Sequence, residues 1–319
     1  MGSKSGRGSP RACTVARPLR VAEMITSLTL AHFLFVVVCG IWGASFLCMK
    51  KAGLVFTDLD IAATRVTLAC MTLAILWAIR RTSWPFRRAD VAPMLFLVGI
   101  GYIFPYLAQP YVIRHATSGF VATLVSLVPL ITVIVSVPML GVRPTKRQLF
   151  GVLGGLLCMI ALCADKFDVV NNVVALIVGP IVPFVYAVAN TYVRRRWSRT
   201  SPLALSFAAT GLSAVLLLPL SVMDRPPHYD QGTVVAVGAL ALLGVFGTGV
   251  SIAIFYWLIR DRGPLYASMV AYVVPCVAMM LGWLDAERAS PVHLLALGGI
   301  LVMVYLVQSD RARDGRERV

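Results

Sequence analysis

The sequence predicts an all-α, polytopic integral membrane protein with ten transmembrane helices arranged as two inverted five-helix repeats. Three observations lead to this fold class: apolar runs recur along the chain, basic residues collect on alternate connections, and landmarks of the first half return in the second. Composition agrees, because 59% of the residues are hydrophobic and 13% are charged. Soluble domains contain about 45–50% and 25%, respectively.

The apolar runs fix the predicted spans, since about 17–25 such residues cross a bilayer as a helix. In the first half we predict spans at 28–49, 59–79, 91–113, 117–141 and 147–164. In the second half we predict them at 172–193, 202–222, 233–259, 265–284 and 291–308. The basic segment 1–27 lacks apolar periodicity and is predicted to be disordered, and 309–319 is predicted to be a cytoplasmic tail.

The basic residues predict the orientation of these spans. Of the 29 Lys and Arg residues, 22 fall on connections that would share one side of the membrane, six fall on the other side, and Arg65 lies within a span. Because short cytoplasmic loops carry an excess of Lys and Arg, both termini are predicted to be cytoplasmic, in the cell (inner) membrane. The formal charge of +15 therefore indicates contact with lipid rather than with nucleic acid.

Motifs for metals, cofactors or nucleotide hydrolysis do not occur. The seven cysteines show no paired spacing and the four histidines are scattered over separate segments, so we expect neither disulfides nor a metal site. The chain lacks the G-x-x-x-x-G-K-[ST] pattern of nucleotide-hydrolysing proteins. We therefore expect no cofactor and no ATP-driven pumping by this chain alone.

Landmarks of residues 28–166 recur in residues 167–308. Arg114 precedes Pro129 by fifteen residues, and Arg260 precedes Pro275 by the same number. Two further pairs correspond: Gly154-Gly155 with Gly298-Gly299, and Trp42 followed by Lys50 with Tyr186 followed by Arg194. Because five is odd, the second copy enters the membrane from the opposite side. Inverted repeats of this kind are typical of alternating-access transporters, whose substrate site lies near the membrane midplane.

Several motifs in this order resemble the EamA-type transporters of the drug/metabolite transporter superfamily, over residues 28–308. They are Trp42-Gly-Ala-Ser-Phe46 in the first span, Arg65 in the second, Pro129 and Pro275 in the fourth and ninth, and Gly244-Val-Phe-Gly-Thr-Gly249 followed by Tyr256-Trp-Leu-Ile in the eighth. The resemblance implies a ten-helix carrier of small metabolites. Members usually carry Gly-Glu near the ends of helices four and nine; here Glu287 is displaced by about one residue, and Gly141-Val-Arg143 replaces the first copy.

Arg65 is the first candidate for substrate binding. A charge within a span is costly unless it faces a cavity or reaches the interface. In one interpretation the guanidinium anchors a carboxylate or phosphate of the substrate through a two-pronged hydrogen bond. In the other it extends to the outer interface and pairs with Asp58, Asp60 or another external carboxylate.

Aromatic and amide side chains form the second set of candidates. Tyr102, Tyr106 and Gln109 share one helical face by spacing, as do Tyr186 and Asn190. A polar face among apolar spans looks inward, which predicts a cavity lining; interhelical packing or an aromatic belt at the membrane interface is the alternative for the tyrosines. The full predicted substrate-binding set is Arg65, Trp42, Ser45, Tyr102, Tyr106, Gln109, Tyr186, Asn190, Tyr256 and Tyr272.

Pro129 and Pro275 are predicted hinges, because proline frees backbone carbonyls and interrupts helices; static kinks are the alternative. The glycines at 151, 154, 155, 298 and 299 permit close helix packing, within a monomer or across a homodimer. Asp285 and Glu287 fall at the outer end of the ninth span rather than inside it, so the sequence gives no support for proton coupling.

The leading functional hypothesis is a secondary transporter, a permease or exporter that moves a small metabolite or amino-acid-like solute by alternating access. The alternative is a membrane-embedded enzyme or scaffold acting on lipid-linked substrates. An enzyme needs converging His, Asp, Glu or Ser side chains near one leaflet. The basic connections lack His and are poor in acids, which favours the transporter and the expectation that the chain is not an enzyme.

Overall fold

The computed structural model describes residues 16–81, 83–115, 124–163, 172–223, 232–283 and 291–317, in which helices and turns occur and no strand is present. The first half contains α1 (Ala16–Ala52), α2 (Asp58–Arg80), α3 (Val91–Val98), α4 (Phe104–His115), α5 (Val128–Leu140) and α6 (Lys146–Cys163). The second half contains α7 (Val173–Trp197), α8 (Pro202–Val222), α9 (Thr233–Leu242), α10 (Ser251–Arg262), α11 (Pro264–Ser268), α12 (Val270–Trp283) and α13 (Pro291–Glu317).

The structure has six helical stretches within the described residues that are long and apolar enough to cross a membrane. They are Leu28–Ala52, Asp58–Arg80, Arg88–His115, Val173–Trp197, Pro202–Val222 and Thr233–Arg262. Shorter apolar helices cover Val128–Leu140, Pro264–Val277 and Gly298–Ser309. The chain is thus an all-helical, multi-pass membrane protein, while the count of ten spans remains a prediction.

Both terminal helices extend beyond the predicted spans. α1 begins at Ala16, inside the segment predicted to be disordered, because Leu19 to Met24 are mostly good helix formers that continue the first span. Similarly, α13 continues to Glu317 through residues predicted to be a tail. Residues 1–15 lie outside the described part of the chain, as do Asp285 and Glu287.

Two of the predicted spans contain a π-helical turn at matching places of the two halves. The turn Gly99–Ile103 joins α3 to α4, and the turn Leu243–Val250 joins α9 to α10. The first lies upstream of Arg114 and the second upstream of Arg260, the two arginines that the sequence relates to each other. Such turns are rare and occur often at functional sites.

The predicted fourth and ninth spans are also interrupted. α5 begins at Val128 after a turn at Ser126 and Leu127, so Pro129 occupies the first turn of the helix, where a missing N–H costs nothing. α11 and α12 are separated at Met269, and Pro275 lies inside α12. The two prolines therefore occupy different places relative to their helix starts.

Polar contacts show which helix ends lie together. Arg196 at the end of α7 pairs with Asp90 at the start of α3, at 2.9 Å. Arg147 at the start of α6 donates to Ser309 of α13, at 2.9 Å. These contacts gather the arginine-bearing connections at one end of the bundle, which we call the arginine-rich end. At the opposite end Arg114 of α4 pairs with Asp58 of α2, at 2.8 Å.

Topology gives a first testable prediction. We expect a Cys that replaces Trp84 or Ser198 to be labelled only from the cytoplasm. Each residue lies within an arginine-rich connection, and such connections face the cytoplasm. The measurement is labelling by a membrane-impermeant thiol reagent in cells, with the native cysteines removed. Labelling from the outside at either residue would contradict the predicted orientation. A Cys that replaces Gly53, at the opposite end of the bundle, is the control and should be labelled only from the outside.

Candidate functional site

A cavity of about 880 Å³, counting the open space at its mouth, lies between the two halves. α1, α2, α4 and α5 line it from the first half, and α7, α10, α11 and α12 line it from the second. Both interrupted helices contribute residues at their breaks: Val125 and Val128 on one side, and Ser268 and Val270 on the other.

Arg65 brings a buried positive charge to this cavity. α2 starts at a capped end, where Thr57 Oγ1 accepts the N–H of Asp60 and Asp60 Oδ2 accepts the N–H of Thr57, both at 3.1 Å. Arg65 follows two turns later and is only 5% exposed. It therefore does not extend to the solvent at the interface.

The contacts of the Arg65 guanidinium are with neutral groups. Its Nε donates to Thr248 Oγ1 at 3.1 Å, and one terminal nitrogen lies 3.8 Å from Met49 Sδ. Its Cζ lies 3.8 Å from the centroid of the Tyr106 ring, a geometry in which the ring face attracts the cation. Within the described residues, no carboxylate pairs with Arg65.

The two carboxylates that the sequence offers to Arg65 have other partners. Asp58 forms the ion pair with Arg114. Asp60 completes the cap of α2 and also accepts a hydrogen bond from Ser221 Oγ at 2.6 Å. The interfacial pairing considered for Arg65 is therefore not the arrangement that the structure has.

Aromatic rings form much of the cavity wall. The Trp42 ring packs against Phe255 with 4.8 Å between centroids. Its Nε1 donates to Ser251 Oγ at 2.8 Å and to the Gly247 carbonyl at 3.0 Å, which attaches α1 to the π-helical turn. Across the cavity Tyr186 donates to Gln109 Oε1 at 3.4 Å. These bonds fix the positions of the Trp42 and Tyr186 rings at the cavity wall.

The structure brings eight of the ten predicted binding residues together around this cavity: Trp42, Ser45, Arg65, Tyr106, Gln109, Tyr186, Asn190 and Tyr256. Tyr102 lies behind the wall, fully buried, and donates to Tyr256 at 2.8 Å. Tyr272 points away from the cavity and donates to the Val152 carbonyl of α6 at 2.6 Å, so its contact is interhelical packing.

Several residues at the site were not predicted. Thr248 holds Arg65, while Met49, Phe255 and Ser268 contribute to the lining. Thr248 lies within the Gly244–Gly249 motif, and the sequence alone assigns no role to this threonine. Phe255 and Met49 gave no signal, because apolar residues inside an apolar span do not reveal which neighbour they face.

The arginine-rich end of the bundle is closed below the cavity. The Tyr102–Tyr256 hydrogen bond links the first half to the second. Nearer the end, Arg194 of α7 donates to the carbonyls of Ile259 and Arg260 at the last turn of α10, where the helix dipole favours a cation. These contacts separate the cavity from that end.

Comparison with known proteins identifies the class of protein that carries this fold and cavity. The model of the EamA-like transporter family matches residues 29–163 and again 173–309. The chain therefore belongs to this family, and it is a membrane transporter. The two matches coincide closely with the predicted halves.

The relatives agree with this assignment. The chain is 27% identical over 277 residues to the uncharacterized inner membrane transporter YedA of Escherichia coli (strain K12), covering 84% of this chain and 87% of that one. It is 23% identical over 316 residues to an S-adenosylmethionine/S-adenosylhomocysteine transporter of Chlamydia trachomatis, covering 95% of both. A crystal structure at 17% identity superposes with a TM-score of 0.70, over 89% of this chain and 98% of that one.

Proposed function

We propose that the protein is a carrier that moves a small organic anion with a flat apolar group across the cell membrane by alternating access. The observation that carries this proposal is the buried Arg65, which faces a cavity between the two halves and has neutral partners among the described residues. A second supporting observation is that the interrupted helices and both π-helical turns lie beside the same cavity.

The charge of the cavity lining is the reason for proposing an anionic substrate. The described lining residues include Arg65 but no Asp, Glu, Lys or His, so the cavity carries one formal positive charge. A cation in a low-dielectric site is stabilised strongly by a counter-ion. A carboxylate or phosphate of the substrate supplies that counter-ion, and it accepts two parallel hydrogen bonds from the guanidinium.

The remaining walls fit an apolar ring. Trp42, Phe255, Tyr106, Tyr186 and Tyr256 provide aromatic surface, on which a flat group stacks with an offset or edge-on geometry. Gln109, Asn190 and Ser268 add a few neutral polar groups that orient the ligand. An amino group has no carboxylate partner in this described lining, which disfavours an amine without an acid group.

The transport cycle that we propose uses the pseudo-symmetry of the chain. Substrate enters from one side, pairs with Arg65, and neutralises the charge that would otherwise resist burial during closure. The Tyr102–Tyr256 and Arg194 contacts then open at the arginine-rich end while the opposite end closes. Because the two halves are inverted copies, the same movement of one half relative to the other opens the cavity to one side of the membrane or to the other.

Two comparisons bear on this proposal. The Chlamydia trachomatis relative is named for S-adenosylmethionine and S-adenosylhomocysteine. Both compounds combine a carboxylate with an aromatic base, but both also carry an ammonium group and the first a sulfonium, so the name supports the carboxylate and the ring and not a net negative charge. The alternative of a membrane-embedded enzyme is less well supported at the cavity, because its described lining has no Asp, Glu, His, Lys or Cys. The relatives named above are named as transporters.

Transport of three matched probes tests the proposal in proteoliposomes: indole-3-acetate, its neutral amide and the amine tryptamine. We expect the carboxylate to be transported with an affinity about ten- to a hundred-fold above that of the amide, since a charged hydrogen bond contributes about 1.5–3 kcal/mol. Tryptamine should be the poorest substrate. Preferred transport of the amine would contradict the anionic class, and an absence of protein-dependent flux for a wide solute panel would contradict the carrier itself.

The interrupted helices give another prediction, on Pro129 and Pro275. If both prolines act as hinges in spite of their different places in α5 and α12, replacing each with Ala should slow transport by comparable factors while insertion and expression remain unchanged. The measurement is initial rate per amount of protein in the membrane. Pro129 and Pro275 each follow a lining residue, Val128 and Val274, whereas Pro138 lies near the end of α5, away from the lining residues of that helix. Pro138→Ala is therefore the control. Wild-type rates for both variants would make the prolines static kinks.

A further inference from the structure

A second concave surface lies on the outside of the bundle, away from the cavity between the halves. It is a groove between α2, α3 and α8, of about 1380 Å³ when the open space at its mouth is counted. We call it the lateral groove and define it by Cys70, Phe86, Met94, Phe207, Gly211 and Leu218. Its lining is almost wholly apolar, so water is a poor occupant.

The groove opens toward the surface that faces lipid. Exposed apolar side chains flank it on both helices: Met71 and Ile75 of α2 are 58% and 61% exposed, and Val215 of α8 is 70% exposed. Along α8 the lining runs from Phe207 to Pro219, which is about 18 Å at 1.5 Å per residue. One leaflet of a bilayer has a hydrocarbon depth of about 15 Å, half of the whole core.

One end of the groove is polar and basic. Trp84 and Arg87 line this end, which lies at the arginine-rich end of the bundle. The carboxylate of Asp90 is already occupied, since it pairs with Arg196 at 2.9 Å and accepts the N–H of Arg87 at 3.0 Å. Within the described residues no carboxylate pairs with the Arg87 side chain, so the groove ends in excess positive charge.

Another contact surface of α2 is filled by protein. There α2 packs directly on the π-helical turn before α10, and a Cβ added at Gly244 would lie 2.6 Å from Leu68 Cβ. At the lateral groove, small residues instead leave space. A Cβ added at Gly211 would meet only Cys70 Sγ, at 3.4 Å. The space at the groove therefore depends on small residues such as Gly211.

From these features we propose that the lateral groove binds one acyl chain of an anionic phospholipid, with the lipid phosphate against Arg87. The apolar lining and its length match a chain within one leaflet. The Arg87 guanidinium supplies the charged donors that a phosphate accepts, and Trp84 is a residue type that favours the depth of the headgroups. Basic pockets between transmembrane helices are known to select acidic lipid headgroups.

Photo-crosslinking in nanodiscs tests this site with the full chain. The probes are phosphatidylglycerol and phosphatidylcholine with the same photoactivatable acyl chain. We expect adducts to fall in the tryptic peptide 200–260, since trypsin does not cleave between Arg225 and Pro226, and fragment spectra should place them within residues 207–219. Phosphatidylglycerol should be favoured about five-fold, since one basic residue near an anionic lipid contributes about 1 kcal/mol. Arg87→Gln should remove that preference, and Gly211→Leu should lower the yield for both lipids by filling the groove.

Matched variants separate this site from ordinary lipid contact. Arg143→Gln removes another exposed arginine of the same end, and Gly238→Leu adds a side chain at a glycine with open space around it. Both should behave like the wild type. Equal yields for the two lipids, or adducts insensitive to Gly211→Leu, would overturn the proposal. Loss of adducts at high protein concentration with crosslinks between two chains would instead assign the groove to a second copy.

Discussion

Replacing Arg65 with Lys should weaken the apparent affinity for an anionic substrate, and replacing it with Ala should weaken it further. Lysine keeps the charge but loses the two-pronged donor geometry, whereas alanine removes the charge as well. We expect about a ten- to hundred-fold loss for alanine, because a charged hydrogen bond contributes about 1.5–3 kcal/mol. The measurement is concentration-dependent transport, normalised to the protein in the membrane.

The control for this series is Arg199, an exposed arginine outside the cavity. Arg199→Lys and Arg199→Ala should leave half-saturation unchanged. If Arg65→Lys also transports with wild-type half-saturation, Arg65 has a structural role, since its charge alone then suffices. That result would remove Arg65 from the binding site while leaving the carrier function intact.

Gly244→Val should destabilise the protein and impair transport together. A Cβ at Gly244 would lie 2.6 Å from Leu68 Cβ and 3.3 Å from the Arg65 carbonyl, so α2 and the π-helical turn must separate. Overpacking of this kind costs about 1–3 kcal/mol. It also moves Thr248 away from Arg65, which loosens the guanidinium that the substrate is proposed to bind.

Thermal unfolding in detergent and transport in proteoliposomes measure the two effects. Gly238→Val, on α9, is the matched control, because a Cβ there meets nothing within 4 Å. We expect its unfolding temperature and its transport to remain near wild type. Equal behaviour of the two variants would mean that α2 and the π-helical turn are not in close contact in the membrane.

The sequence predicted the helical class and the family because both depend on patterns repeated over the whole chain. Arg65 was predictable for a local reason: a lone charge in an apolar span requires a cavity or an interface. Trp42 and Tyr186 were found through the repeat and through helical spacing. Thr248, by contrast, acquires its role from the packing of α2 against the π-helical turn, which no local pattern reports.

Tyr102 and Tyr272 are the two predicted binding residues that do not line the cavity, and each lies at or just after an interruption of its helix. Spacing places Tyr102 on one face with Tyr106 and Gln109, but Tyr102 lies inside the turn Gly99–Ile103. A π-helical turn closes i→i+5 bonds, so its residues advance by less than the α-helical value of about 100° each. Tyr272 follows the break at Met269. A helix that restarts after a break does not continue the angular positions of the residues before it.

The two π-helical turns also affect how the chain tolerates insertion and deletion. Such a turn holds one residue more than the α-helical turn it replaces. Losing one residue from Gly99–Ile103 or Leu243–Val250 would restore α-helical geometry while the flanking helices keep their mutual orientation. The same loss inside α8 would rotate every later residue of that helix by about 100°. During evolution, the insertion or deletion of one residue at these turns can therefore reshape the cavity and leave the bundle intact.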